Sequence, residues 1–145
     1  MFLGEYKASC TQGKRVAIPG KLRKKISGDT VIATRGYENS IVIVTPEHFE
    51  TLLEGVTDQP FISADKREAT RFLLGGAHEL NVDSQGRIVI PESLIEHAHI
   101  ASDDVVFVGL GNWIELWDEH QWEQYRAQMA RESVEIANRL VNVND

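Results

Sequence analysis

The chain opens on an alternation of apolar and polar positions through residues 3–9, followed by a short β-prone run, Val16-Ala17-Ile18, that stops at Pro19. This predicts a strand, a polar turn and a second strand. Residues 20–26 place Leu22 and Ile26 at helical spacing. A proline fits just ahead of them, because the first turn of a helix leaves its N–H groups unpaired anyway. Val31-Ile32-Ala33 and Ile41-Val42-Ile43-Val44 flank a turn at Gly36–Ser40 and predict a hairpin. Pro46 then opens a further helix, with Phe49, Leu52 and Leu53 on one face. The unit reads ββαββα.

It occurs twice. Arg15 maps on Arg87, Ile18 on Ile90, Pro19 on Pro91 and Leu22 on Leu94, at a constant offset of 72 residues. After a small indel, Ile41 and Ile43 map on Ile114 and Leu116, Phe49 on Trp122 and Glu50 on Glu123. Such self-similarity marks a repeat architecture. In the second copy, residues 92–98 predict a helix through Leu94, Ile95 and Ala98, and Val105–Val108 and Trp113–Trp117 flank Gly109–Asn112 as a hairpin. Between the copies, Thr57-Asp58-Gln59-Pro60 is turn-rich, and residues 64–74 predict a helix burying Ala69, Phe72 and Leu73. No Gly or Pro follows Gly111, so residues 118–141 predict one long helix with Trp122, Tyr125, Met129 and Ile136 along one side. The expected organisation is a first unit at 1–54, a linker and helix at 55–75, a second unit at 76–117, and a C-terminal helix and tail at 118–145.

At 145 residues, with 42% hydrophobic and 26% charged, the chain suffices for a folded core. No apolar run approaches the roughly 18 residues of a membrane span, and Met1–Gly4 leads into alternating polar residues, not a signal peptide. Four prolines and one cysteine exclude a collagenous segment, a disulfide framework and a Cys-based zinc cage; the lone Cys10 suits the cytoplasm. A net charge of −7 argues against a polyanionic partner until its distribution is seen. Residues 1–28 hold Lys7, Lys14, Arg15, Lys21, Arg23, Lys24 and Lys25 against the single acid Glu5, whereas the rest holds 8 basic and 21 acidic side chains. Such a segment attracts a polyanion while the acidic remainder keeps the particle soluble. It equally fits a solvated helix face around Leu22 and Ile26.

Catalytic templates are not met. Gly13-Lys14-Arg15 lacks the earlier glycine and the following Ser/Thr of a phosphate loop. Glu96-His97-Ala98-His99 is not His-Glu-x-x-His, and two histidines two apart on a helix face different ways. Cys10, beside Lys7 and Lys14 but with no paired histidine, reads as a small strand residue, and Trp113, Trp117 and Trp122 read as core or interface. We expect no catalytic residue, metal, cofactor or small-molecule substrate. The turn Asp83-Ser84-Gln85-Gly86-Arg87 is different. The Asp83 carboxylate can accept backbone N–H bonds and Gly86 supplies a positive φ. Arg87 begins the next strand, where its fork reaches outward to phosphate or guanine, or back to Asp83.

The repeated Asp-x-x-Gly-Arg-[Ile/Val]-x-Ile-Pro pattern resembles the MraZ family of bacterial regulators. So do Met1-Phe2-Leu3-Gly4-Glu5-Tyr6, Thr34-Arg35-Gly36 and Val106-Phe107-Val108-Gly109…Ile114-Glu115-Leu116-Trp117, and the likeness covers residues 1 to about 126. It implies an α+β fold of two tandem ββαββα swapped-hairpin (AbrB-like) barrel units. It also implies a ring-shaped homo-oligomer, and binding to repeats in double-stranded promoter DNA, at the nucleoid, to control the cell-division and cell-wall operon. The family's Asp-x-x-x-Arg motif falls on Asp83 and Arg87; in the first copy Arg15 matches, Thr11 stands at the Asp position, and Gly13-Lys14 replaces the usual basic-Gly order. Thr11 is expected to bond a turn N–H more weakly. The expected DNA-contacting residues are Lys7, Lys14, Arg15, Arg23, Lys24 and Arg87, with Thr11, Asp83 and Gly86 shaping the turns. Arg15 lacks a local acid, whereas Arg87 has Asp83, Glu79 and Glu92 nearby. The alternative is a non-catalytic interaction or scaffold module, an antitoxin-like partner, which would use the acidic second half and the Trp113–Trp122 segment.

Overall fold

The computed structural model describes residues 1–59 and 61–144; Pro60 of the expected linker turn lies outside the described residues. The first repeat contributes β1 (Phe2–Thr11), β2 (Arg15–Ala17), α1 (Gly20–Arg23), β3 (Thr30–Arg35), β4 (Ile41–Val44) and α2 (Pro46–Leu52). The linking helix α3 (Ala64–Gly75) follows. The second repeat contributes β5 (His78–Asn81), β6 (Arg87–Val89), α4 (Glu92–His97), β7 (Asp104–Gly111) and β8 (Ile114–Asp118). Helices α5 (Glu119–Arg131) and α6 (Ser133–Asn144) end the chain.

Local chemistry explains most of the boundaries. Pro19 and Pro91 stand at the N-caps of α1 and α4. Thr45, Ser63 and Asp118 cap α2, α3 and α5, each accepting from the N–H three residues on. The helix expected over 20–26 is short: α1 ends at Arg23, with Leu22 buried and Ile26 packing on the core beyond its end. On α3, Leu73 is buried while Ala69 and Phe72 are half-buried.

The eight strands form one nearly closed, barrel-like sheet in the order β5-β3-β4-β8-β7-β1-β2-β6. The repeats are interleaved within it. β1 runs antiparallel to β7 from Phe2↔Gly111 to Ser9↔Asp104, and β5 joins β3 from Thr30↔Asn81 to Ala33↔His78. Each repeat thus lends its first strand to the hairpin of the other. The copies also meet directly at β4–β8 and at β2–β6. The core lies inside this sheet and combines Phe2, Val16, Ile41, Ile43, Ile88, Leu94, Phe107 and Leu116 from both repeats.

The single helix expected over 118–141 is instead two, broken at Glu132, whose φ and ψ are −101° and 12°. Trp122, Tyr125 and Met129 pack against Val106, Val108 and Trp117 in a second apolar cluster, which holds α5 to the sheet. Beyond Met129 that support ends, and Ser133 and Val134 are weaker helix formers than the residues before them. Ile136, expected on the same stripe, belongs to α6, where Val134, Leu140 and Val141 are exposed.

Candidate nucleic-acid interface

The two motif strands lie side by side. β2 pairs with β6 in the register Arg15↔Val89, Val16↔Ile88 and Ala17↔Arg87. Val16 and Ile88 are equivalent under the 72-residue offset, so the pseudo-two-fold axis relating the repeats passes between them. Both are buried, and because side chains alternate along a strand, Arg15, Ala17, Arg87 and Val89 share the opposite, outward face. Arg15 and Arg87 are diagonal neighbours there, a relation that spans about 7–8 Å in an antiparallel pair. Two backbone bonds tie each copy to the other's turn: Ile18 N–H donates to Gly86 O at 2.9 Å, and Ile90 N–H donates to Lys14 O at 2.8 Å.

The turns preceding the two arginines differ. In the second, Asp83 accepts from the N–H groups of Gln85 and Arg87 on Oδ1, both at 2.9 Å, and from Arg87 Nε on Oδ2 at 2.8 Å. These bonds, the Arg87 N–H first among them, hold the Asp83 carboxyl below its ordinary range. The guanidinium of Arg87 is therefore braced back onto its turn. In the first turn no carboxylate is present. The Thr11 hydroxyl, expected to accept a turn N–H, instead donates to Arg15 O at 3.0 Å, and Lys14 N–H closes the turn onto Thr11 O at 3.0 Å. The Arg15 side chain is exposed, and among the described residues it takes part in no salt bridge.

Position 14 and its equivalent 86 both need the left-handed region, with φ of 59° at Lys14 and 79° at Gly86. Glycine meets that need without cost, whereas a lysine is strained there. The basic-Gly inversion of the first copy therefore puts a cation into the turn at some conformational expense.

Arg23 extends from α1 across to the other repeat. Its Nη2 donates to Ser84 O at 3.0 Å, and its guanidinium stem lies where a β-carbon on Gly86 would fall, 2.8 Å from Cδ. It buttresses the second turn. Lys24, at the C-cap of α1, is exposed. Lys7 lies elsewhere, on the outer face of β1, with Nζ 3.3 Å from Glu119 of α5. The structure thus brings Lys14, Arg15 and Arg87 together on the ribbon and its turns, sets Arg23 and Lys24 beside it, and leaves Lys7 facing α5. The sequence reading missed the outward pair Ala17 and Val89, although the alternation of β2 and β6 was the signal that could have found them.

Other candidate chemistry is placed structurally. Burial raises the Cys10 thiol above its ordinary pKa despite Lys14 nearby, the reverse of activation. His97 Nε2 lies 2.8 Å from Gly36 O and its ring meets Phe72 edge-on. Trp117, Trp122 and Tyr125 pack on one another, and the Trp122 N–H donates to Glu5 Oε1 at 2.8 Å. Among the described residues no group of three or more His, Cys, Asp or Glu side chains could hold a metal, and no helix is long and apolar enough to cross a membrane.

Comparison with known proteins agrees with the doubled pattern. The family model described as "MraZ protein, putative antitoxin-like" matches twice, over residues 1–72 and 73–144. A "Transcriptional regulator MraZ" from Natranaerobius thermophilus is 36% identical over 142 residues, covering 98% of each chain. Proteins of the same name from Oenococcus oeni and Syntrophomonas wolfei are 38% and 37% identical, over 98% and 99% of each chain. With both repeats matched and relatives aligned from end to end, the chain belongs to the MraZ family.

Proposed function

We propose that this protein is a sequence-specific DNA-binding transcriptional regulator, without catalytic activity, that acts in the cytoplasm at the nucleoid on promoter repeats of the cell-division and cell-wall gene cluster. The observation that carries the reading is the β2–β6 ribbon, which sets Arg15 and Arg87 on one outward face with the cationic Lys14 turn at its edge. A two-stranded ribbon fits the major groove of B-DNA, where an arginine reads guanine by two hydrogen bonds. Lys14, with Lys24 alongside, supplies phosphate contacts that position the ribbon; Arg23, bonded to Ser84 O, holds the second turn, and Lys7, turned to Glu119, adds only to the field. The relatives' name, transcriptional regulator, supports regulation of transcription.

The protein acts as a closed, ring-like homo-oligomer larger than a dimer, in which several ribbons engage one DNA segment and multiply a weak single contact. Exposed Met1, Leu3, Leu110 and the apolar side of α6 offer surface for that assembly. The alternative of an interaction module built on the Trp113–Trp122 segment is less favoured, because Trp117 and Trp122 are buried within their own chain. A mobility-shift assay on the DNA upstream of the protein's own gene, repeated across salt and paired with light scattering, tests the reading. Steep salt dependence with sequence preference and a mass above the dimer is expected; a monomer that binds all DNA alike would overturn it.

A further inference from the structure

We infer that Val89 reads a thymine methyl group beside the base contacted by Arg15, and so helps to set which DNA sequence the ribbon accepts. The inference rests on the ribbon's entry into the major groove. Its backbone is symmetric, with Val16 against Ile88 on the pseudo-two-fold axis, but its outward face is not. Under the 72-residue offset Arg15 and Arg87 are equivalent and identical, whereas Ala17 is equivalent to Val89. The larger side chain stands directly opposite the unbraced Arg15, and the smaller stands opposite Arg87, which Asp83 holds.

Val89 is 47% exposed between cationic neighbours. Ala17 occupies the equivalent ladder position, so the register does not require a branched apolar side chain there. Directly opposed residues in an antiparallel pair place their β-carbons about 4.5–5.5 Å apart, between one and two of the ~3.4 Å steps from base to base along a strand. With the Arg15 fork on guanine O6 and N7, the Val89 methyls reach the edge of an adjacent base. The apolar group on that edge is the thymine C5-methyl. The opposite end of the ribbon, with Ala17 and a braced arginine, makes no equal contact. The ribbon therefore reads its site in one direction despite its symmetric backbone.

The test uses the full chain and a duplex enriched by the protein from a random-sequence pool, with deoxyuridine replacing each thymine in turn. Uracil removes the methyl group and leaves base pairing intact. The expected result is one position at which uracil weakens binding about fourfold, the worth of one buried methyl-sized group. At that position Val89→Ala binds the thymine and uracil duplexes equally, with thermal midpoint and oligomer mass as in the unaltered protein. Val89→Thr, which keeps the β-branch and one methyl, retains an intermediate preference and serves in its place if Val89→Ala lowers the midpoint. No uracil-sensitive position, or the same sensitivity in the unaltered protein and both variants, overturns the assignment. Failure to enrich any sequence overturns the DNA-binding reading itself, and this inference with it.

Discussion

The two arginine turns share a left-handed residue just before the arginine, Lys14 or Gly86, but the first adds a second at Gly13, with φ of 82°, where Gln85 stands in the other. Both close between a left-handed residue and a short strand, and each is tied to the other by a backbone bond from Ile18 or Ile90. The second turn satisfies itself: Asp83 collects two N–H groups and the Arg87 guanidinium, and Arg23 lies over Gly86. The first offers Thr11 in place of the carboxylate and Lys14 in place of the glycine, which leaves Arg15 unbraced and adds a charge. An arginine already bonded to a carboxylate gives up that pair when it takes a phosphate, whereas an unpaired one loses only water. On the proposed reading, the first copy is the one free to bind DNA and the second the one held on its own turn.

Removing each arginine in turn has the largest expected effect. Arg15→Ala is expected to lower operator affinity about ten- to a hundredfold per site, with thermal midpoint and oligomer mass unchanged. Arg87→Ala is expected to lower the midpoint or the mass at least as visibly as the affinity. The opposite pattern in calorimetry, light scattering and mobility shift would reverse the roles. Next in size, replacing Lys14 and Arg15 together should flatten the slope of log affinity against log salt by about 0.9 for each phosphate that is no longer neutralised. The matching change at Lys66 and Arg67 should do far less, since Lys66 already faces Asp58 at 3.2 Å and Arg67 donates to Phe61 O.

Substitution by alanine at the two left-handed positions separates geometry from charge. Gly86→Ala should cost about 1–2 kcal/mol in a denaturant titration, because its φ of 79° penalises a β-carbon and Arg23 must shift as well. Lys14→Ala, which already has a β-carbon at φ 59°, should leave stability nearly unchanged and weaken DNA binding. Smaller still, Thr11→Asp should build the missing brace, raising the midpoint slightly and weakening operator binding about threefold to tenfold by holding Arg15 and facing the phosphates. The smallest effect is on acid stability. A folded pKa held below the ordinary Asp value of about 3.9 contributes stability that is full above that value and lost as pH falls through the lower, folded one. Thermal midpoints from pH 5 to about 2 should therefore fall less steeply in Asp83→Asn than in the unaltered protein.

The repeat, the hairpins and most helix starts were legible because short-range chemistry sets them. Pro19, Pro91, Thr45, Ser63 and Asp118 announce their helices within three residues. The Asp83–Arg87 brace was legible for the same reason, spanning four residues. What lies across the pseudo-symmetric interface was not. The bond from Arg23 to Ser84 joins residues 61 apart, and no local pattern distinguishes an arginine that buttresses a turn from one that awaits phosphate. Nor did the cationic run reveal that Lys7 turns away to Glu119. The break at Glu132 escaped because it has no Gly or Pro to mark it; α5 stops where its aromatic support stops, which is a property of the folded sheet.

The interleaving of the repeats has a consequence for how the protein is made. Phe2 pairs with Gly111, so β1, once synthesised, waits while more than a hundred further residues are added. At roughly 5–20 residues per second that wait lasts on the order of 5–20 s. β3, too, has no outer neighbour until β5 is complete. A nascent first repeat thus presents four strand edges at once, since β2 and β4 also lack β6 and β8, and the β7 of another chain emerging from the same message offers β1 the same ladder as its own. Translation speed and the spacing of ribosomes therefore bear on whether each sheet closes within one chain or between two.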